Sequence, residues 1–563
     1  MSCGTESIPK ENICNADIRN SEIEIPNQRE YIIRNMPDPD EKITIKDASK
    51  WATEYIGKNV TASNISYLIN YGRIHRYYED GQVCISCREL VEYYQTYKGQ
   101  REIKYTDKIG DDLNWALSFD NVKESETTKH VHRLHPYKGK FIPQLVQYFL
   151  DDHVDDFKKE VFFHKGDIVL DPFCGSGTTL VQANELGIHA VGIDVSYFNA
   201  LISNVKISDY DIFSLKIEID RITSNFEKYL KIHQTNEFEN ELSAKLSKFN
   251  LEFFPTPSYK LMINEGVIDE KDYGQRKEAE FLPIYNELVD KYHIELVQEN
   301  PQNFLEKWYI KQIRDEIAFV HDEICKVNNP NQRALLLIIL SRTMRSCRAT
   351  THSDLATLKD PVTSTYYCRK HGRICKPIFS ILKWWKTYTK DTLKRIEEFS
   401  RIKTPAYGLC LTGDSRNIDI FSELSKENTV FGKIAEEQKI RGIFTSPPYV
   451  GVIDYHEQHA YAYDLFNFER RDELEIGPLY KGQGPEARES YVIGISEVLT
   501  NAKRFLAPNY DIFLVANDKY NLYPQIAKRA GMKIVEQFKR PVLNRTERDK
   551  GAYSETIFHL KED

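Results

Sequence analysis

A chain of 563 residues exceeds one ordinary domain, and about two to four units are expected. With 41% hydrophobic and 28% charged residues the composition is ordinary for a soluble globular protein. A net charge of −8 requires any nucleic-acid contact to come from a local basic face, which weighs against such a role without excluding it. No run of about eighteen apolar residues occurs and the start carries no apolar signal core, so neither a membrane span nor secretion is expected. The 10 cysteines are scattered, which suits a reducing cytoplasm.

Residues 1–40 read as a polar lead-in rich in Asn, Glu and Pro. From Ile43 to Tyr94, Ala48, Trp51, Ala52 and Ile56 mark a first helix. A second opens at Thr61 or Ser63 and turns Ile65, Leu68 and Ile69 inward. A hairpin around Asp80-Gly81 and a closing helix from Arg88 follow. This order, over 41–100, resembles the excisionase-type winged helix-turn-helix module and implies a DNA-reading lobe; a helical cap or dimerisation lobe is the bland alternative.

Residues 128–207 alternate helix and strand, 208–405 read as long, charged and mainly helical, and 406–563 return to short apolar strands. The pattern is one α/β sheet split by a long helical insertion.

In "IVLDPFCGSGTTL" a strand Ile168–Leu170 leads through a loop Asp171–Gly177 into a helix from Thr178. Glycines let backbone approach a ligand, and the helix start adds donors and positive potential. A triphosphate loop needs Lys where Thr178 stands, and a dinucleotide fingerprint needs glycine where Leu180 stands. Asp194 ends the next strand and can accept both hydroxyls of a ribose. A nucleoside ligand without phosphate fits all three observations.

In "GIFTSPPYVGVIDYHEQHAYAYDLF" a strand breaks at Pro447-Pro448. Two prolines stiffen the backbone and leave carbonyls without intrastrand partners. Ser446 Oγ and the Pro447 carbonyl can then grip an exocyclic amine while Tyr449 stacks on its ring. An aromatic amine is a poor nucleophile, so its attack rests on positioning. A plain strand-ending turn is the bland reading of Ser-Pro-Pro.

Together, "DPFCGSGTT" (Asp171, Phe173, Cys174, Gly175, Gly177 and Thr178 among its residues), the acidic Asp194 and "TSPPY" resemble the S-adenosylmethionine-dependent DNA aminomethyltransferases of the N4/N6 family. "RLHPYKGKFIPQLV" (Arg133–Val146), with Lys140 and Phe141, is similar to the segment that closes over the cofactor's methionine portion. The resemblance implies a Rossmann-like class I methyltransferase sheet, with S-adenosylmethionine as cofactor and a flipped base in duplex DNA as substrate. Asp171 would face the methionine ammonium, and Asp414 and Ser415 in "LTGDSRNI" would reach cofactor or target. Ser at the first motif position is usual in cytosine-N4 enzymes; adenine-N6 methylation, an RNA base methyltransferase and a dead DNA-binding regulator are the alternatives. No Pro-Cys pair occurs, which speaks against carbon-5 methylation. The family implies a prokaryotic cytoplasmic enzyme with a cognate restriction endonuclease acting on the same site. The order of motifs departs from many cytosine-N4 enzymes, in which the proline strip precedes the glycine loop.

His456 and His459 resemble metal ligands in spacing, but the family resemblance makes them DNA- or loop-contacting residues. Arg545 and Arg548 stand near phosphates or on a solvated face. In the insertion, Tyr366–Arg395 mixes Lys and Arg with Tyr and Trp, which suits phosphate contact and target recognition; the bland reading puts Trp384 or Trp385 in a core. Cys368-x2-His371-x3-Cys375 has zinc-ligand spacing, with Cys347 or His352 as a fourth. Buried packing thiols and no metal are the favoured expectation.

Overall fold

The computed structural model describes residues 41–563 apart from 57–59, 71–73, 80, 95–104, 106–107, 111–112, 120–121, 156, 234, 297–300, 353–359, 378–380 and 544–551. The lead-in 1–40, Asp80, Arg545 and Arg548 therefore lie outside the described residues. The chain divides into two compact units, Met1–Tyr97 and Lys98–Asp563.

In the first unit, strand β1 (Lys42–Thr44) runs into helix α1 (Ile45–Ile56), followed by α2 (Ala62–Asn70), β2 (Tyr77–Glu79) and β3 (Gln82–Ser86). Thr44 starts α1 by capping it: its Oγ1 accepts from the Asp47 amide at 3.2 Å and donates to the Asp47 carboxylate at 2.7 Å. The β2–β3 hairpin pairs Tyr77 with Cys84, and β1 adds a third strand, pairing Ile43 with Ile85. A three-residue strand gives no readable period, so β1 was not foreseeable from alternation. Ala48, Trp51, Ile65, Leu68, Ile69, Ile85 and Leu90 form the core.

The second unit is built on a seven-stranded sheet. Helix α3 (Pro143–Leu150) precedes β4 (Ile168–Asp171), α4 (Thr178–Glu185), β5 (His189–Asp194) and α5 (Tyr197–Ile207). Next come α6 (Ile212–His233), α7 (Thr235–Phe253), α8 (Glu270–Lys291), α9 (Lys311–Cys325), α10 (Pro330–Ser346), a hairpin of β6 (Tyr366–Cys368) and β7 (Arg373–Cys375), and α11 (Ile381–Ser400). The sheet resumes with β8 (Gly408–Thr412) and β9 (Ile440–Thr445), and after α12 (Pro485–Lys503) ends with β10 (Leu506–Ala516), β11 (Met532–Pro541) and β12 (Ser554–Glu562).

The strand order is β11-β12-β10-β9-β4-β5-β8. The five strands from β10 to β8 are parallel, and β12 runs antiparallel to both β10 and β11. The chain moves from β4 outward through β5 to β8, then returns to lay β9 on the other flank of β4. This reversal makes a crevice at the strands' carboxyl ends.

Alternate residues face opposite cores. Val169, Phe444 and Phe513 enter one cluster, while Leu170, Ile443 and Leu514 enter the other. The first cluster continues through Ile222, Leu335 and Trp385, so the helices of 208–405 share one core with a face of the sheet. Trp385 is fully buried and donates to Thr223 Oγ1 at 2.9 Å, and Trp384 stacks on Tyr388. Lys386 pairs with Glu227. From Ile381 the aromatic-basic strip is thus an amphipathic helix whose aromatic rings pack inward, because burying them gains more than offering them to water. The stacking half of the nucleic-acid expectation is corrected accordingly. Among the described residues no helix is long and apolar enough to cross a membrane.

Candidate functional site

Four strand ends converge on one crevice: Asp171 closes β4, Asp194 closes β5, Asp414 follows β8 and Ser446 follows β9. They line a cleft of about 830 Å³, its solvent-filled mouth included, together with Lys140, Phe141, Phe173, Cys174, Gly175, Thr178, Ser415 and Pro448. Tyr449 lines a neighbouring cleft of about 1930 Å³, and Tyr137, Gly139 and Lys140 line both. The proline strip therefore stands as a partition, with Ser446 and Pro448 toward one cavity and Tyr449 toward the other.

The glycine loop is held from three directions. The Gly175 amide donates to Asp194 Oδ2 at 2.8 Å, Ser203 Oγ donates to the Gly175 carbonyl at 3.0 Å, and the fully buried Lys206 donates to the Ser176 carbonyl. Gly175 has φ +52°, and a Cβ there would lie 2.8 Å from Tyr137 Oη. Gly177 differs from expectation. It lies off the cleft, caps α4 at φ +73°, and leaves room only for Ser203, whose Cβ would stand 2.9 Å from an added methyl. It packs two helices rather than facing a ligand.

Asp194 Oδ1 accepts from the Ser196 amide at 2.9 Å and from Asn199 Nδ2 at 3.1 Å. Ser196 also caps α5 by accepting the Asn199 amide at 3.2 Å, which sets the turn that aims Asn199. With three bonds already accepted, a carboxylate of about four lone-pair sites has room for about one more donor. That leaves Asp194 fewer acceptor positions than the pair of ribose hydroxyls expected of it would need.

Asp171 Oδ1 accepts from Thr445 Oγ1 at 2.6 Å and from the Phe173 amide at 3.2 Å, which ties the loop to β9. Burial lifts both carboxyls to about 6, against hydroxyl and amide donors that lower Asp171 and amide and side-chain amide donors that lower Asp194. Lys140 is lowered to about 8 by burial and then by Arg133 and Arg395; its Nζ donates to the His132 carbonyl at 2.8 Å. Asp414 is chelated by its own Arg416 at 2.7–3.0 Å, and Ser415 Oγ donates to the Pro172 carbonyl at 2.7 Å. Both brace the cleft wall. Pro447 is buried and lines neither cavity. Tyr449 Oη donates to Glu555 at 3.1 Å, fixing its ring.

Both histidines are buried. His456 holds the following loop, as its loop-contacting reading expects: its Nδ1 bonds Glu475 at 2.5 Å and its Nε2 accepts the Arg471 amide at 3.3 Å, while His459 packs among His135, Tyr137 and Phe198. Burial holds His459 down to about 3, so it is neutral. Their task is to hold the wall. Glu475 takes the Tyr455 and His456 amides and itself lines the cleft.

Sequence reading missed Tyr137, Asn199, Tyr455 and Glu475 in the lining. Only Tyr137 carried a usable signal, three positions before Lys140 in the upstream segment. Its ring stacks on Tyr455 with centroids 5.9 Å apart. In the insertion, the cysteine-histidine cluster takes His352 as its fourth member, and Cys347 lies outside it.

A family model described as DNA methylase, of N6/N4 type, matches residues 38–203. The chain is 46% identical over 524 residues to the type II methyltransferase M.MjaII of Methanocaldococcus jannaschii, covering 92% of this chain and 96% of that protein. It is 35% identical over 81 residues to a tRNA (guanine(10)-N2)-dimethyltransferase of the same organism, 14% of this chain and 21% of that one. It is also 38% identical over 72 residues to the type II methyltransferase M.BsoBI of Geobacillus stearothermophilus, 13% of each.

Proposed function

The chain belongs to the N4/N6 DNA methylase family of type II methyltransferases, and on that premise we propose that it methylates the N4 amine of cytosine in duplex DNA. One observation carries the reading: Asp171, Asp194 and Ser446 face one cleft, while Tyr449, on the same strip, faces the next.

The residues present fit S-adenosylmethionine. Two buried carboxyls whose ionisation burial opposes make a cleft that favours a cation, and the one acceptor position left on Asp194 suits a ribose hydroxyl. Asp171 would hold the ammonium, and Phe141 and Lys140 would close the methionine end. When bound, the cofactor supplies a methyl group activated by its sulfonium.

The chain's own residues prepare the amine. Ser446 Oγ, at the cavity wall, accepts one of its hydrogens and turns the nitrogen lone pair toward the cofactor side of the partition. Tyr449, anchored by Glu555, stacks on the flipped ring. A neutral Ser in place of a carboxylate suits cytosine, since it brings no extra charge beside the sulfonium. The first unit is proposed as a winged helix-turn-helix reader of DNA, and a restriction endonuclease of the same specificity as the partner of the modification.

Mass spectrometry of nucleosides from DNA incubated with the protein tests the reading. N4-methylcytosine is the expected product. N6-methyladenine defeats the cytosine assignment and leaves the amine chemistry; 5-methylcytosine defeats both.

A further inference from the structure

We propose that His352, Cys368, His371 and Cys375 form a structural zinc site that ties the β6–β7 hairpin to the chain beyond α10. The site lies apart from the methyl-transfer cleft, since none of the four lines either cavity. One ligand atom from each of the four falls within 4.8 Å of every other.

The local sequence makes the knuckle. β6 and β7 pair Tyr366 with Cys375 and Cys368 with Arg373, so both cysteines stand at the hairpin, one near the turn and one at its base. The amides of His371 and Gly372 both donate to the Cys368 carbonyl, at 3.1 and 2.7 Å, and Gly372 takes φ +59° to close the turn. This winding carries His371 back over the pair, its Nδ1 3.4 Å from Cys375 Sγ. A tetrahedral zinc with bonds of about 2.3 Å to sulfur and about 2.0 Å to nitrogen has an S···N edge of about 3.5 Å.

His352 arrives from a separate segment, its ring edge-on to His371 with centroids 4.4 Å apart. The Tyr366 hydroxyl lies 2.7 Å from His352 Nδ1 and accepts the His352 amide at 2.8 Å. That pairing fixes the ring through Nδ1, the outer-shell arrangement usual for metal-bound imidazole.

Two thiols and two imidazoles are the donor set zinc prefers, and neither Cys368 nor Cys375 is in a disulfide. Packing alone explains the cluster poorly. Its apolar company is Tyr366 with Val362 alongside, and strands of three residues are marginal without a staple. The hairpin's outer face is already fastened, by Asn250 to both polar groups of Ile374 and by Glu278 to the Tyr367 amide. A metal would fasten the inner end.

The test is zinc content of the full-length protein purified from zinc-supplemented cultures, by plasma mass spectrometry. About one zinc per chain is expected, released by a thiol-directed mercurial. Cys375→Ser and the exposed His371→Gln should each lose it, while Cys347→Ala should keep it. Cobalt(II) added to the metal-stripped unmutated chain should give a thiolate charge-transfer band, a readout that does not depend on any variant folding; no band would overturn the proposal. A zinc-free chain whose Cys368 and Cys375 alkylate freely, or are joined as a disulfide, would overturn the proposal. So would zinc retained by both ligand variants.

Discussion

On the β4–β5 side of the cleft, the glycine loop is held by its neighbours: Asp194 takes the Gly175 amide, and Ser203 and Lys206 of α5 take the next two carbonyls. On the β9 side, the strip Ser446–Tyr449 draws stiffness from two proline rings, and Ser446 remains half-buried at the cavity wall. The first side is preorganised by tertiary hydrogen bonds, the second by covalent geometry. Substitutions on the first side should therefore disturb binding where the residue lines the cleft and folding where it packs the helices behind it. Those on the second should reach turnover while leaving binding nearly intact.

The largest effect should come from Ser446→Ala. Loss of one positioned acceptor at the reacting amine is expected to lower kcat by about 100-fold, with the affinity for S-adenosylhomocysteine nearly unchanged. Single-turnover kinetics beside calorimetry measures both. An equal loss in cofactor affinity would erase the contrast between the two sides.

Asp194→Ala should weaken cofactor binding by about 1–3 kcal/mol, because the Gly175 and Ser196 amides lose their acceptor along with the ribose. Gly177→Ala should instead lower the melting temperature, since φ +73° and the contact with Ser203 strain the folded state by about 1–3 kcal/mol. Scanning calorimetry without ligand separates the two. A variant Gly177→Ala with unchanged melting and weakened binding would return that glycine to the ligand.

Acid should act next. Asp171 and Asp194 sit at about 6 in the folded chain, above the usual 3.8, so the unliganded fold holds their protons below that pH. That fold is thus favoured by protonation as pH falls through 6 toward 4, and the contribution is lost as pH rises through 6. A ligand that sets an ammonium on Asp171 and a hydroxyl on Asp194 needs the carboxylates ionised, so its affinity should be full above 6. It should fall by about tenfold per pH unit below that for each carboxylate engaged. Titration calorimetry of S-adenosylhomocysteine between pH 7 and about 5 checks the slope. A flat profile would remove both carboxyls from the ligand.

The smallest effect should follow deletion of the first unit. Removing residues up to about 97 should weaken duplex binding and flatten its salt dependence by about one unit of slope for each phosphate no longer neutralised. Cofactor affinity should stay. Unchanged salt slopes would make that unit structural.

The glycine loop, the acidic strand end and the proline strip were legible in the linear chain because each is written in local covalent constraint. Glycine alone tolerates the loop's positive φ, and proline alone stiffens the strip. The alternation that places Val169 and Leu170 on opposite faces was equally local. What the folded chain decided were the long-range closures. Thr445 and Asp171 are 274 positions apart yet share a hydrogen bond. His352 joined the cysteine hairpin in place of Cys347, and His456 and His459 went inside the wall. Folding also set the number of lone pairs left on Asp194, since its donors come from the Gly175 loop, the Ser196 turn and α5 at once. Spacing along a chain names the residues able to do chemistry; which of their atoms remain unspent depends on partners brought together only when the sheet closes, because a carboxylate has a fixed number of acceptor sites and burial removes water as an alternative.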